Sequence, residues 1–175
     1  MNLVLIGYRC AGKTTVGSQV ATHLRRKFID TDTLIEEQHG VIRDIVETRG
    51  WDYFRTLEKE IIKEISSQDN LVIAPGGGSV LDTDNVMALK RNGLIIWLKA
   101  DSQAVCRRMM KDPRTALQRP SLTGKGTLDE LKEVMAFRAP LYEKAAEIHL
   151  ETSATDAATV VEGVLSILDG MKGRQ

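Results

Sequence analysis

Residues 7–14 carry the pattern G-x-x-x-x-G-K-T, whose residue types and spacing suit the binding of a nucleotide's phosphates. Gly7 and Gly12 allow the tight, partly left-handed backbone path that makes successive N–H groups converge on phosphate oxygens. Lys13 supplies a positive charge for the β and γ phosphates, and the hydroxyl of Thr14 is placed to ligate Mg²⁺. The pattern therefore predicts a phosphate-binding loop.

The segments on either side of this loop occur in the order that the motif requires. Residues 3–6 form an apolar, partly β-branched run, which is typical of a parallel strand buried on both faces. Val16, Val20 and Leu24 recur at helical spacing, so a helix is predicted over 13–26, and its N-terminus would add unpaired N–H groups. The alternative is a glycine turn that binds nothing, and the strand–loop–helix order favours the phosphate site.

Asp30 and Asp32 lie at the end of a second predicted strand, 28–30. In an extended segment, residues i and i+2 point the same way, so both carboxylates are predicted to face one site. One carboxylate would then lie near Mg²⁺ and the other would contact an acceptor hydroxyl. The alternative is a turn or a helix cap, with a helix beginning at Thr33. Beside a phosphate loop we favour the functional interpretation.

Three arginines are candidates for holding an anion. Arg55 and Glu58 are three residues apart and could pair on a helix, although such a pair is more often a solvated surface contact of little energetic value. Arg138, taken alone, is equally ambiguous. Arg119 lies in the segment 111–126, which contains two prolines, two glycines and little periodicity. A loop of this length in a compact domain is usually a lid or a disordered segment, and a lone arginine in it usually serves solubility.

The elements that would position these residues alternate between strands and helices, which predicts an α/β fold with a central parallel sheet and helices on both faces. We expect one domain over residues 1–175 with a mobile lid at about 111–126. A glycine run, 76–78, directly follows a strand, and ligands in such folds lie beyond the carboxyl ends of strands. The predicted strands are 3–6, 28–30, 71–74, 94–98 and 148–150, and the predicted helices are 13–26, 33–39, 42–48, 52–67, 82–92, 101–111, 127–145 and 156–170.

Composition narrows the classes of partner. Lys plus Arg and Asp plus Glu both number 24, so the net charge is zero and no overall field favours nucleic acid or an anionic membrane. Cys10 and Cys106 lack metal-ligand spacing, and no signal-peptide pattern precedes the first strand. We therefore expect reduced thiols in a cytoplasmic protein, and no apolar run reaches transmembrane length.

Taken together, these motifs resemble the shikimate kinase family, and the resemblance follows nearly the whole chain in order. Its pieces are the phosphate loop 7–14, Asp30-Thr31-Asp32, Phe54-Arg55 with Glu58, Gly76-Gly77-Gly78-Ser79-Val80, Arg119-Pro120 and Arg138-Ala139-Pro140-Leu141-Tyr142. Two positions depart from the family pattern. Cys10 stands where the family often has a third loop glycine, and Pro75 stands where a small hydroxylated residue is frequent.

The resemblance implies transfer of the γ-phosphoryl of ATP to the 3-hydroxyl of shikimate, in aromatic amino acid biosynthesis, with Mg²⁺ and in a monomeric enzyme. It implies that Asp32 holds the acceptor hydroxyl, that Asp30 binds Mg²⁺ through water alongside Thr14, and that Lys13 and Arg119 stabilise the charge in transit. The residues expected at ATP are Gly7, Cys10, Ala11, Gly12, Lys13, Thr14, Thr15 and Arg119; those expected at shikimate are Asp32, Arg55, Gly76, Gly77, Gly78 and Arg138.

Two other functions compete with this interpretation. Another small-molecule kinase of the same fold, acting on gluconate or a nucleoside monophosphate, would share the ATP half and differ at the acceptor residues. A nucleotide-binding module without phosphoryl transfer would not need the converging carboxylates and arginines, and the chain has no N-K-x-D motif for reading guanine.

Overall fold

The computed structural model describes residues 1–111 and 127–172, with the backbone alone for residues 127–130 and 172. The strands are β1 (Asn2–Ile6), β2 (Lys27–Asp30), β3 (Leu71–Ala74), β4 (Gly93–Lys99) and β5 (Ile148–Glu151). The helices are α1 (Lys13–Leu24), α2 (Thr31–His39), α3 (Ile42–Ser66), α4 (Thr83–Arg91), α5 (Ser102–Lys111), α6 (Thr127–Ala145) and α7 (Ala157–Lys172), and a short 3-10 helix spans Ser79–Leu81.

The five strands form one sheet in the order β2-β3-β1-β4-β5, and every neighbouring pair is parallel. The central strand β1 has Leu3 opposite Val72 on one side and Leu94 on the other. Because the strands are parallel, the segments that follow β1, β2 and β3 all leave the same edge of the sheet, where ligands of such folds bind. The predicted α/β class with a parallel sheet is confirmed.

Two apolar layers cover the two faces of the sheet, because successive residues of a strand point to opposite faces. Leu3 and Leu5 of β1 pack into one cluster with apolar residues of α1 and α7. Val4 and Ile6 pack into the other cluster with α3 residues such as Ile61. All four β1 side chains are at most 1% exposed, so β1 is buried on both faces, as its continuous apolar run predicted.

Local backbone chemistry moves two predicted helix boundaries and accounts for a predicted helix break. Helix α1 ends at Leu24 because Arg25 takes a left-handed conformation, with φ 53°. Helix α2 begins at Thr31 and not at Thr33, because the Asp30 side chain caps it. The predicted helices 42–48 and 52–67 are both present within α3, and the predicted break between them lies at Gly50, whose φ of 82° and ψ of 169° interrupt the helical path.

The predicted lid lies, apart from Lys111, outside the described residues, and so does Arg119. Neither Cys10 nor Cys106 forms a disulfide bond. Across residues 1–111 and 127–172, none of the helices combines the length and apolar character needed to cross a membrane.

Candidate active site

The loop between β1 and α1 takes the conformation that its glycines make possible. Gly7 has φ 147°, and a Cβ there would lie 2.6 Å from the carbonyl oxygen of Leu98. Gly12 has φ 104°, and Cys10 between them has φ 58°, a left-handed value that is uncommon for a residue with a side chain. The first turn of α1 follows at once and contains no acidic residue. The unpaired N–H groups of this turn therefore provide an anion site with no acidic side chain from the turn itself.

Lys13 lies against the loop it follows. Its Nζ donates to the carbonyl oxygens of Gly7 at 2.9 Å and of Tyr8 at 3.1 Å. The cleft over the loop has a volume of about 960 Å³, at the upper end of the range for small-molecule sites. Most of the residues expected at ATP line it, namely Cys10, Ala11, Gly12, Lys13, Thr14 and Thr15. We refer to it as the nucleotide cleft.

The two residues expected on the metal side are in direct contact. The Thr14 hydroxyl donates to Oδ2 of Asp30 at 2.6 Å, and both residues line the nucleotide cleft. A hydroxyl and a carboxylate are the oxygen ligands that Mg²⁺ prefers, so this pair fits the cation's first or second coordination shell. Within the described parts of the chain, no group of three or more His, Cys, Asp or Glu residues is arranged to hold a metal without further ligands.

Asp30 and Asp32 share a cleft for a different reason than their spacing suggested. Asp30 is extended and caps α2, accepting from the backbone N–H groups of Asp32 at 3.1 Å and Thr33 at 3.3 Å. Asp32 lies in the first turn of α2, so the i, i+2 argument for an extended chain was wrong in its geometry. Both carboxylates nevertheless line the nucleotide cleft, and Asp30 does so while it caps α2.

A second cleft adjoins the nucleotide cleft and is lined by the charged residues that were expected at the acceptor. Its lining includes Asp32, Arg55, Glu58, the glycine run 76–78 and Arg138. These residues come from α2, α3, the loop after β3 and α6, so four separate segments converge here. We call it the acceptor cleft. The structure thus brings together every described residue that was expected at shikimate.

Arg55 and Glu58 are paired inside this cleft, and the surface-contact alternative was wrong. Nη1 of Arg55 lies 2.6 Å from Oε2 of Glu58, whose side chain is 1% exposed. Burial raises the pKa of Glu58 to about 7, because loss of hydration outweighs the opposing charges of Arg55 and Arg138, and the nearby Asp32 carboxylate raises it further. The acceptor cleft therefore contains a carboxyl group that titrates near neutral pH.

The glycine run packs where side chains would collide. A Cβ on Gly76 would lie 2.5 Å from Oδ1 of Asp32 and 2.8 Å from Oε1 of Glu58. The Gly76 N–H donates to the buried hydroxyl oxygen of Thr31 at 2.9 Å. The loop is thus fixed to the first turn of α2, close to the two carboxylates. Glycine at 76 is required by this close approach.

The carbonyl of Gly77 anchors the other end of the acceptor cleft. It accepts from Nη1 of Arg138 at 3.1 Å and from the Tyr142 hydroxyl at 2.5 Å. Burial raises the pKa of Tyr142, so its hydroxyl remains a proton donor. Arg138 is only 7% exposed, and its Nε has no hydrogen-bond partner among the described residues. A buried guanidinium with an unused donor is suited to an anionic ligand.

Two arginines lie at these clefts that sequence patterns did not indicate. Arg108, on α5, lines the nucleotide cleft; its guanidinium donates to the carbonyl oxygens of Thr152 and Cys10, the latter at 3.3 Å. Arg9 lies within the phosphate loop itself and lines both clefts. The variable positions of the loop motif carry no spacing rule, so a cation there gives no sequence signal beyond its presence.

Comparisons with known proteins agree on one family. A family model described as shikimate kinase matches residues 9–169. A shikimate kinase of Syntrophus aciditrophicus is 39% identical over 173 residues, covering 94% of this chain and 89% of that protein. A solved structure described as shikimate kinase from Acinetobacter baumannii in complex with shikimate has a TM-score of 0.90 and 32% identity, covering 98% of this chain and 94% of that one.

A more distant structure tests the rival interpretation. A gluconokinase from Sinorhizobium meliloti has a TM-score of 0.63 and 16% identity, a likeness that extends to the fold alone. The family model, in contrast, spans most of the sequence, and its match includes the phosphate loop from Arg9 onward, the acceptor-cleft residues and Arg138. On these grounds the chain belongs to the shikimate kinase family.

Proposed function

We propose that this protein transfers the γ-phosphoryl of ATP to the 3-hydroxyl of shikimate, giving shikimate 3-phosphate and ADP. The observation that carries the proposal is the acceptor cleft, where two buried or half-buried guanidinium groups adjoin a phosphate-binding loop. A small polyhydroxylated carboxylate needs planar cationic partners at one end and a hydroxyl-binding carboxylate at the other. Arg55 and Arg138 supply the first, and Asp32 supplies the second.

On the nucleotide side, the backbone of the phosphate loop and the N-terminus of α1 bind the triphosphate. Lys13 exchanges its contacts with the loop carbonyls for the β and γ phosphates when ATP enters. The Thr14 hydroxyl would hold Mg²⁺ directly and Asp30 would hold it through water, and the ion would supply positive charge that offsets the charge of the phosphates. These assignments rest on the contact of Thr14 with Asp30 and on the residues that line the cleft.

On the acceptor side, Asp32 accepts the hydrogen bond of the attacking hydroxyl and orients its oxygen toward the γ-phosphorus. The new bond joins that oxygen to phosphorus as the bond from phosphorus to the β,γ-bridging oxygen breaks, and the hydroxyl proton passes to Asp32. Arg119, outside the described residues, would close over the transferring group from the lid. Because the transition state is loose, positioning and charge stabilisation supply most of the rate.

The proposal also covers the biosynthetic pathway, the cellular compartment and the oligomeric state of the protein. We infer that it serves aromatic amino acid biosynthesis in the cytoplasm and acts as a monomer on its small-molecule substrate, without nucleic acid or membrane partners. The zero net charge of the chain supports the last point, since no overall field draws it to a polyanion.

A coupled assay of ADP release tests the function. Purified protein with MgATP should release ADP rapidly with shikimate, and slowly with gluconate, with a nucleoside monophosphate or with no acceptor. Chelation of Mg²⁺ should abolish the shikimate-dependent rate. Stimulation by gluconate but not by shikimate would assign the protein to the rival kinase activity. ADP release that no acceptor changes would favour a nucleotide-binding module.

A further inference from the structure

The boundary between the two clefts is where the phosphoryl group must pass. Among the described residues, Arg9, Asp32 and Ile42 line both the nucleotide cleft and the acceptor cleft. Lys13 lines the nucleotide cleft, and Arg55 and Arg138 line the acceptor cleft. Arg9 is therefore the cation at the boundary within the described parts of the chain, and it lies there together with the carboxylate of Asp32.

The guanidinium of Arg9 is held loosely by the protein. Its Nε is buried and has no hydrogen-bond partner among the described residues. Its Nη2 makes a long hydrogen bond of 3.4 Å to the hydroxyl of the adjacent Tyr8, and its Cζ lies 5.6 Å from the centre of that ring. Arg55 and Arg138 have shorter bonds, of 2.6 Å to Glu58 and of 3.1 Å to the carbonyl of Gly77, although the Nε of Arg138 also lacks a partner among the described residues. A buried, unused N–H of a charged group is costly unless a ligand completes it.

We propose that Arg9 is a further catalytic residue, which binds the phosphoryl group on its acceptor side during transfer and in the phosphorylated product. This inference rests on the proposed phosphoryl transfer. The guanidinium fork matches the spacing of phosphate oxygens, and the boundary between the clefts is where those oxygens lie once the new bond has formed. Arg9 stays protonated throughout, so it adds no proton to the balance of the reaction.

The position of Arg9 separates its role from the roles of the other cations. The acceptor carboxylate is the group that Arg55 and Arg138 are proposed to hold, and the unphosphorylated acceptor offers Arg9 only neutral hydroxyls. Arg9 should therefore contribute little to the binding of the acceptor and much to the binding of its phosphate ester. A cation that merely stabilised the loop would affect both equally.

The test compares the binding of acceptor and product to variants of Arg9. Calorimetry should measure the Kd of shikimate and of shikimate 3-phosphate for the wild type, Arg9→Met and Arg9→Lys. With Arg9→Met, the Kd of the phosphate ester should rise about 10–100-fold, while the Kd of shikimate changes by less than about threefold. Arg9→Lys keeps the charge and should recover part of the loss. The exposed Arg91→Met on α4, which lines neither cleft, should change neither constant.

Two results would overturn the inference. An unchanged Kd of the phosphate ester would exclude the contact, and an equal loss for both ligands would make Arg9 a support of the loop. The midpoint of thermal unfolding shows whether each variant is folded. If Arg9→Met does not fold, the two Kd values are compared in Arg9→Lys instead. Failure of the proposed function is visible separately, because the wild type would then release no ADP with shikimate. In that case the same comparison is made with the acceptor that the wild type does phosphorylate and its phosphate ester.

Discussion

The nucleotide cleft and the acceptor cleft are built in opposite ways. The floor of the nucleotide cleft is one short stretch of chain, residues 7–15, and its binding groups are mainly backbone N–H groups set by positive φ at Gly7 and Gly12. The acceptor cleft is lined by residues from several separate segments, and two of its charged residues, Glu58 and Arg138, are 1% and 7% exposed. The phosphate-binding floor of the nucleotide cleft is therefore a local motif, whereas the acceptor cleft is assembled by the tertiary fold.

This difference has an energetic consequence. Backbone donors in a loop need no counter-charge when the site is empty, because they are neutral dipoles. Buried ionisable groups do need partners, and the acceptor cleft provides them through the pairing of Arg55 with Glu58 and of Arg138 with the Gly77 carbonyl. Changes in the nucleotide cleft should therefore affect turnover with little effect on folding, whereas changes in the acceptor cleft should affect binding, pH dependence and stability together.

The largest effect is expected from Lys13→Met. The ammonium should stabilise the transferring phosphoryl more than ground-state ATP, so kcat should fall by on the order of 10² or more. Steady-state kinetics with varied ATP measure this. Because Lys13 also donates to the carbonyls of Gly7 and Tyr8, a thermal unfolding curve is needed to show that the loop survives. A raised KM for ATP with unchanged kcat would assign Lys13 to ground-state binding alone.

In the acceptor cleft, Arg138→Ala should lower kcat/KM for shikimate by about 10–100-fold, since charge-assisted bonds contribute about 1.5–3 kcal/mol. Arg138→Lys should recover little, because an ammonium cannot reproduce the planar fork. Affinity for ATP without acceptor should barely change. Together these results would separate a substrate clamp from general damage to the fold.

A substrate analogue without the carboxylate makes the Arg138 experiment sharper. Wild type and Arg138→Ala should use this analogue about equally poorly, since the group that Arg138 is proposed to bind is missing. If the substitution harms the analogue as much as it harms shikimate, then Arg138 is structural or serves the phosphates.

The sequence was most informative where the structure is local. The phosphate loop, the parallel strands and the break at Gly50 follow from spacing, apolar runs and glycine chemistry within a few residues of chain. The burial of Glu58 could not be predicted in this way, because it depends on the glycine run after β3 packing against α2 and α3. A three-residue spacing of Arg55 and Glu58 describes a surface pair and a buried pair equally well.

The same limit explains the mistaken geometry of Asp32. Whether residue 31 continues the strand or begins a helix depends on the Asp30 carboxylate finding the N–H groups of Asp32 and Thr33. A local cap competes with an extended chain at such a position, and here the cap is formed and α2 packs against α3. Both carboxylates line the nucleotide cleft, whereas the extended backbone predicted for Asp32 was wrong.

A smaller effect, on stability, is expected from Glu58→Gln. The pKa of Glu58 is about 7 in the folded protein and 4.5 as its ordinary value, so between these pH values the folded state binds more protons than the unfolded state. The contribution of Glu58 to stability is therefore fully present below about pH 4.5 and is lost as pH rises through about 7. Glutamine does not titrate, so the fall in Tm between pH 5 and pH 8 should be smaller for the variant than for the wild type. The difference should be a few degrees.

Glu60→Gln is the matched control, since Glu60 is an exposed carboxyl on the same helix. Its Tm should follow the wild-type pH dependence. Parallel curves for the wild type and Glu58→Gln would show that Glu58 is ionised across the whole range, and would remove the link between burial and titration in the acceptor cleft.

The smallest effect, on KM for shikimate, is expected from Thr31→Val, at the hydrogen bond that joins the glycine run to the first turn of α2. Thr31 is fully buried between Asp30 and Asp32, and its hydroxyl accepts the N–H of Gly76 at 2.9 Å. Thr31→Val keeps the shape but leaves that N–H without a partner, so the glycine run should shift relative to Asp32. KM for shikimate should rise roughly three- to tenfold, as expected for one hydrogen bond, while the Kd of ATP stays unchanged. Thr31→Ser retains the hydroxyl and should behave like the wild type in both measurements. If serine and valine raise KM equally, the threonine methyl positions the glycine run by packing, and the acceptor cleft depends on the hydrophobic core more than on this hydrogen bond.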